Sequence, residues 1–275
     1  MKDEKYEKLT SHLRRLGRVA VAFSGGVDSS FLLAAATETL GAGNTVGITV
    51  DSPALPRHEL EDAVNLAARI GARHIILESP DIEDEVRKNP ADRCYHCKKF
   101  EFGSILEEAS RLGFPHVLDG SNADDTGDYR PGMKAVKELA VVSPLLEAGL
   151  TKNDIRELSR EMGLPTWDKP AYACLYSRIP YGQEIKIEDL FRIEQSEKFL
   201  IKKGFRTSRV RCHGDIARIE VGRGESAKLM EEPLRSELIA ALKECGFRYV
   251  TLDLEGYRTG SMNEVLITRP ERESR

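Results

Sequence analysis

Val-Ala-Phe-Ser-Gly-Gly-Val-Asp-Ser-Ser, residues 21–30, carries an apolar strand pattern through a glycine pair into a helical pattern. That order suits a phosphate grip. Gly25 and Gly26 let the main chain approach phosphate oxygens closely. The helix, expected from about Ser29 to Leu40, aims its free N–H groups and positive dipole end at the same place. Ser24 and Ser29 add hydroxyl donors and Val27 completes the loop. Asp28 repels phosphate, so it is expected to hold a Mg2+ ion that bridges the phosphate oxygens. A glycine pair between strand and helix is also ordinary turn punctuation. The phosphate reading is preferred because strand, loop and helix fall where the chemistry needs them. Gly-x-x-x-x-Gly-Lys-[Ser/Thr] does not occur, and Gly41, Gly43 and Gly47 follow a helix at the wrong spacing for a dinucleotide fingerprint. Neither a P-loop kinase nor a dehydrogenase is supported.

Composition sets the class. With 40% hydrophobic and 31% charged residues among 275, the chain reads as a soluble protein that can bury a real core in one large domain, or in a medium and a small one. No stretch approaches the ~20 apolar residues of a membrane span, and the opening Met-Lys-Asp-Glu-Lys-Tyr-Glu is unlike a signal peptide, so a cytoplasmic location is expected. The net charge of -4 offers no general attraction to nucleic acid, which is not an expected partner. Five cysteines, an odd number without an export signal, argue for metal or thiol chemistry over a disulfide framework.

A polar amphipathic helix near 4–16 precedes apolar runs near 18–23, 45–50, 73–78 and 116–119, with helical patterns between them. This alternation predicts an α/β fold, a parallel sheet with helices on both faces. Between Arg57 and Ile70, a stripe of Leu60, Ala63, Val64, Ala67 and Ile70 marks a surface helix that Gly71 ends. Val141 and Val142 suggest a further strand, and Thr151 with Asp154 a capping box for a helix reaching Met162. The nucleotide domain is thus placed at 1–163. Residues 164–186, rich in Pro, Tyr and Gly, read as a functional loop that carries Cys174. A helix near 188–203, strands near 207–213 and 215–221, a helix near 225–245 and a strand near 247–254 predict a smaller α+β domain at 187–275.

Several residues carry chemistry. Cys94 and Cys97 form a Cys-x-x-Cys pair at the start of a helix expected from Lys98 to Leu112. A helix N-terminus would lower their pKa values and favour metal or sulfide binding. Three cysteines suffice for a 4Fe-4S cluster with one open iron, whereas structural zinc takes four ligands. From the spacing alone, a zinc half-site or redox dithiol, with Cys174 an unrelated thiol, serves equally well. Arg209 and Arg211 alternate along a strand and share a face, a bidentate match for a phosphate. Arg218 and Glu220 share a face of the next strand, and Glu197 on the preceding helix could join them. Spacing alone favours a solvated strand face with surface ion pairs. Asp119, Gly120, Asp125, Asp128 and Arg130 follow the fourth strand, at the edge where open α/β sheets bind ligands, although turn chemistry also explains such residues. Trp167, Tyr172 and Tyr181 serve as loop anchors or as a stacking platform for an aromatic ring; Cys212 and Cys245 read as small core residues.

The Ser24–Ser29 loop resembles that of the PP-loop ATP pyrophosphatases, which split ATP into AMP and pyrophosphate to adenylate a substrate. Residues 118–125, 128–132, 177–182, 209–211, 215–220 and 247–254 narrow the resemblance to the LarE-type family and together cover nearly the whole chain. The resemblance implies an ATP-dependent sulfur transferase of nickel-pincer nucleotide biosynthesis, acting on a small pyridinium dicarboxylate mononucleotide. ATP contact is accordingly expected of Ser24, Gly25, Gly26, Val27, Asp28 and Ser29 in the phosphate loop, and of Gly120, Asp125 and Arg130 at the sheet edge. By the same resemblance, Arg209 and Arg211 take the substrate phosphate, and Glu197 and Glu220 a divalent metal. One branch of the family sacrifices a cysteine as sulfur donor, and Cys174 lies in the corresponding region. Another carries a three-cysteine cluster, which Cys94, Cys97 and Cys174 fit better. The resemblance also implies a homo-oligomer, with a hexamer the form it suggests. A tRNA-thiolating PP-loop enzyme is a second expectation, although it should bring a basic RNA-binding module.

Overall fold

The computed structural model describes residues 2–127, 131–170, 173–258 and 260–263. In chain order the helices are α1 (Lys2–Leu16), α2 (Val27–Leu40), α3 (Arg57–Ile70), α4 (Asp84–Arg87), α5 (Arg93–Arg111), α6 (Gly132–Glu138), α7 (Pro144–Glu147), α8 (Lys152–Glu161), α9 (Ile187–Lys202), α10 (Ser226–Leu229) and α11 (Leu234–Glu244). The strands are β1 (Val19–Ala22), β2 (Thr45–Asp51), β3 (Arg73–Glu78), β4 (His116–Leu118), β5 (Ser208–His213), β6 (Ile216–Val221) and β7 (Tyr249–Leu252). Two compact units divide them: Met1–Glu83 with Asp92–Tyr172, and Asp84–Ala91 with Ala173–Arg275.

In the first unit, four parallel strands lie in the order β3-β2-β1-β4. Side chains alternate across a strand, so Val19 and Val21 enter the core made by α1, α2, α3 and α8, while Ala20 enters the one made with α5. Helices thus cover both faces, as the sequence pattern predicts. The helix α2 is apolar on nearly all sides, with Phe31 to Ala36 all buried. A helix of that kind is a core element. The stripe on α3 is rotated from the expected one, because Leu66 is buried and Val64 is 40% exposed. Gly71 ends α3 in the left-handed conformation. The strand expected at Val141–Val142 reduces to one parallel bridge, Leu118 to Val142.

In the second unit, β5 and β6 form an antiparallel hairpin and β7 adds in parallel to β6. The expected 225–245 helix is two pieces, α10 and α11, because Pro233 occupies the cap position before Leu234 and cannot continue a helix. The excursion 84–91 had no sequence signal. Asn89, fully buried with φ 54°, donates from Nδ2 to the carbonyls of Ile179 (3.3 Å), Pro180 (2.8 Å) and Gln183 (3.1 Å). Gly182 N–H donates back to its carbonyl at 2.8 Å. Asparagine tolerates the left-handed region better than most residues.

The capping box at α8 is complete. Thr151 Oγ1 accepts from Asp154 N–H at 3.2 Å, and Thr151 N–H donates to Asp154 Oδ2 at 3.0 Å. Lys5 Nζ on α1 donates to the same oxygen at 2.6 Å. Burial of Asp154 opposes ionisation, but hydrogen bonds from Lys5 and Thr151 prevail and lower its carboxyl to about 2 from 3.8. A depressed carboxylate stabilises the fold above its unfolded pKa, and that contribution fades as pH falls toward the folded value. Urea melts of Asp154→Asn should therefore lie below wild type at pH 6, with the gap closing between about pH 4 and pH 2.

Candidate functional site

The strand β1 delivers Phe23 to a loop whose hydroxyls close on themselves. Ser24 Oγ lies 3.1 Å from Ser29 Oγ, Ser24 N–H donates to Ser29 Oγ at 3.3 Å, and Gly26 N–H donates to Ser24 Oγ at 3.4 Å. Gly26 caps α2 without any side-chain acceptor, so the helix begins at Val27, earlier than the sequence suggested. The first N–H groups of α2 therefore remain available to an anion. Gly25 has φ 70°, and a Cβ there would meet Ala63 Cβ at 3.0 Å. Both backbone and space demand glycine.

The loop after β4 closes against this turn. A Cβ on Gly120 would lie 3.1 Å from Ser29 N and 3.2 Å from Asp28 Cβ. Asn122 Nδ2 donates to Asp28 Oδ1 at 3.4 Å, and Lys152 Nζ, from the first residue of α8, donates to Asp28 Oδ2 at 2.5 Å. Lys152 N–H is in turn fixed by Asp124 Oδ2 at 2.8 Å. Asp125 Oδ2 accepts Asn122 N–H at 2.9 Å, which shapes the loop. Asp119 Oδ1 is buried and finds no hydrogen-bond donor among the described residues. The expectations for Asp128, Arg130 and Tyr172 fall outside the described residues. Lys152 and Asn122 were missed as site residues: the Asp28–Lys152 pair spans 124 positions, and no local spacing announces it.

Cys94 and Cys97 lie inside α5, which starts at Arg93 and not at Lys98. Both are half-buried, and Cys97 Sγ donates to Glu101 Oε1 at 3.5 Å. The Glu101 carboxylate, with smaller contributions from Cys97 and Asp119, pushes the neighbouring Lys98 ammonium above its ordinary value. Cys174 is exposed and belongs to the second unit. Among the described residues no three Cys, His, Asp or Glu side chains are grouped closely enough to hold a metal ion. The two thiols on α5 are by themselves fewer than the three ligands of a 4Fe-4S cluster with one open iron. Asp28, partly exposed at the helix N-terminus, suits a Mg2+ ion once Lys152 turns away from it.

In the second unit the face of the sheet that carries the arginines is buried, which removes the solvated-face alternative. Arg211 grips Glu220 through Nε (3.0 Å) and Nη2 (2.6 Å) and donates from Nη1 to the Ser177 carbonyl at 3.0 Å. Arg178, 0% exposed, grips Glu197 through Nε and Nη2, both at 2.9 Å, and Glu197 also accepts Val210 N–H at 2.9 Å. Arg209 stacks on Tyr257 with its guanidinium 5.0 Å from the ring centroid. Arg218 pairs with Asp253 at 2.6 Å and with Glu220 at 3.2 Å. Burial, with Arg218 and Arg211 nearby, lowers the His213 pKa. Glu197 and Glu220 therefore orient guanidiniums in this structure, and a cation would have to displace these. Arg209 also donates from Nη1 to the Ser208 carbonyl at 2.6 Å. Arg178, within the 177–182 segment, carries no expected role in the sequence, since a lone arginine in a loop does not announce its burial.

Comparison with known proteins adds to this geometry. The chain is 37% identical over 262 residues to the pyridinium-3,5-bisthiocarboxylic acid mononucleotide synthase of Lactiplantibacillus plantarum, covering 94% of this chain and 93% of that protein. This chain belongs to the LarE-type family. LarE-type proteins are ATP-dependent sulfur transferases of the PP-loop class, and residues 6–104 match the family described as Asparagine synthase. An uncharacterised protein of Synechocystis sp. is 41% identical over 267 residues, 97% of this chain and 99% of its own length. A tRNA-specific 2-thiouridylase of Syntrophus aciditrophicus is 28% identical over 201 residues, 61% of this chain and 54% of that protein. No described helix is long and apolar enough to cross a membrane.

In this LarE-type chain, Gly120→Ala drives a methyl into backbone, which cannot yield as a flexible side chain would, at a cost of about 1–3 kcal/mol. ATP affinity, read by calorimetry, should fall with it. Gly43→Ala, with no atom within 4 Å of the new Cβ, is the matched control and should leave ATP affinity unchanged.

Proposed function

We propose that this protein adenylates a carboxylate of pyridinium-3,5-biscarboxylate mononucleotide and converts it to a thiocarboxylate, consuming ATP and releasing AMP and pyrophosphate. The observation that carries the reading is the Asp28–Lys152 pair at the open N-terminus of α2. An ammonium held 2.5 Å from a carboxylate, at a site built for anions, has a better partner once phosphate arrives. Lys152 would then turn to the polyphosphate and leave Asp28 as the residue that would hold a Mg2+ ion, whose chemistry there would be charge neutralisation. The N–H groups of α2 and the Ser24 and Ser29 hydroxyls hold the β- and γ-phosphates and keep the α-phosphorus within reach of the substrate.

A carboxylate oxygen of the substrate attacks the α-phosphorus, the bond between the α-phosphorus and the bridging oxygen breaks, and the electron pair leaves with pyrophosphate. Sulfide sulfur then attacks the acyl carbon. The carbon–oxygen bond to AMP breaks, because AMP is a far better leaving group than oxide. Substrate phosphate is assigned to Arg209 and Arg211. The face they share with Glu220 is preorganised, which lowers the entropy lost on binding.

The sulfur route supported by the cysteine pattern is a 4Fe-4S cluster with Cys94, Cys97 and Cys174 as ligands, three being the number that leaves one iron open. Sacrifice of the exposed Cys174 is the competing route. Anaerobic purification followed by iron and sulfide analysis, with intact mass before and after turnover, separates them. A cluster predicts iron, labile sulfide and unchanged mass; loss of sulfur mass from Cys174 establishes the other route. The whole reading fails if the mononucleotide and a sulfur source never elicit AMP. Arg209→Ala should raise KM for the mononucleotide by tenfold or more, the order of a lost charged hydrogen bond, and leave KM for ATP near wild type. Equal loss for both would remove the phosphate assignment.

A further inference from the structure

Thr49, near the end of β2, is 97% buried yet polar. Its hydroxyl donates to the carbonyl of Phe23 at 2.5 Å, and its oxygen lies 2.8 Å from His74 Nε2. A hydroxyl has one hydrogen and a carbonyl only accepts, so His74 must donate from Nε2 to Thr49 Oγ1. The ring of His74 stands edge-on to Phe23 at 83°, with centroids 5.3 Å apart. Gly47, paired with Val21 on one side and His74 on the other, leaves the space that Phe23 and Leu33 fill: a Cβ there would meet Leu33 Cδ2 at 3.1 Å and Phe23 Cβ at 3.5 Å.

Phe23 is the residue before the phosphate loop. Its N–H continues the ladder by donating to Ile48 O at 2.8 Å, while its carbonyl is held by the Thr49 side chain. The Phe23–Ser24 peptide is planar and trans, so its C=O and N–H point in opposite directions. Fixing the Phe23 oxygen on Thr49 therefore aims the Ser24 N–H the other way. That N–H points at Ser29 Oγ, 3.3 Å away at the start of α2.

We propose that Thr49 and His74 are positioning residues for ATP, a side-chain relay from β3 through β2 that orients the Ser24 peptide. This rests on the reading of residues 24–29 as the ATP phosphate site. Neither residue touches the nucleotide in this assignment. They act through one carbonyl, and loss of the Thr49 hydroxyl leaves a donor on His74 and an acceptor on Phe23 without that partner. Thr49→Ser keeps the hydroxyl and Thr49→Val removes it at nearly constant volume. His74→Phe keeps a ring beside Phe23 and removes the N–H.

The test is calorimetric binding of ATP with Mg2+ to the full chain, alongside KM for ATP and for the mononucleotide. Thr49→Val should weaken ATP about tenfold or more, the order of one lost positioning hydrogen bond with its partner left unsatisfied. Thr49→Ser should restore most of that loss, and KM for the mononucleotide should stay near wild type in both variants. If Thr49→Val does not fold, His74→Phe decides, with a weakening of about fivefold or more expected for losing the distal bond. ATP binding unchanged in the soluble variants, or equal weakening for both substrates, overturns the proposal. Failure of the wild-type protein to bind ATP would instead overturn the phosphate-site reading on which it stands.

Discussion

The burial of α2 on nearly all sides is the constraint to which the rest of the first unit adjusts. A helix with polar flanks can roll or shift and carry its N-terminus away. One whose residues from Phe31 to Ala36 are all buried cannot. Its free N–H groups are therefore a fixed concentration of positive potential at the carboxyl edge of β1. Neighbouring elements meet it with glycine where they come closest. Gly25 admits Ala63 of α3, and Gly120 admits Asp28 and Ser29. Any side chain at these points would push on backbone, which in a packed interior has nowhere to go.

Electrostatics follows from the same arrangement. The start of α2 carries Asp28, an acidic residue in the first turn that suits the dipole but would repel a polyphosphate. Lys152 offsets that charge. The pair is partly exposed and contributes little to stability, so exchanging partners costs little, whereas a buried pair would resist the exchange. The second unit uses the opposite strategy. Its buried pairs, Arg178 with Glu197 and Arg211 with Glu220, are bidentate, and each acid has a further hydrogen bond. Breaking any of them would strand a charge away from water, so they hold shape.

Much of the fold was legible in the sequence because local signals coincided with tertiary ones. The bounds of β2, β3 and α3, the glycine at the end of α3 and the Thr151 capping box could be read from periodicity and turn chemistry alone. Sequence failed where a feature depends on residues distant in the chain. Val64 and Leu66 exchange roles because α3 is rotated to place Ala63 on Gly25. Asn89 has no local signal for three carbonyls about ninety positions away. The helix expected through 225–245 breaks because an interior proline outweighs periodicity. Within the candidate site, the strand, glycine turn and helix of β1 and α2 were legible because they are contiguous. Lys152, Asn122 and Arg178 were not, since each gains its role from a partner on another element.

The two anion sites proposed above also differ in what they can discriminate. Backbone N–H groups at a helix start have no side chain to exchange, so they recognise a polyphosphate by charge and geometry and serve any nucleotide that reaches them. Discrimination among substrates falls to side chains, and under the proposed assignment the arginine face of the second sheet is where substitutions would alter which anion is accepted. Its arginines are held by buried acids whose own bonds are satisfied, so changing one guanidinium disturbs a network and not a single contact. Selectivity of that kind resists drift, because most single substitutions there would destabilise the unit before they could retune the site.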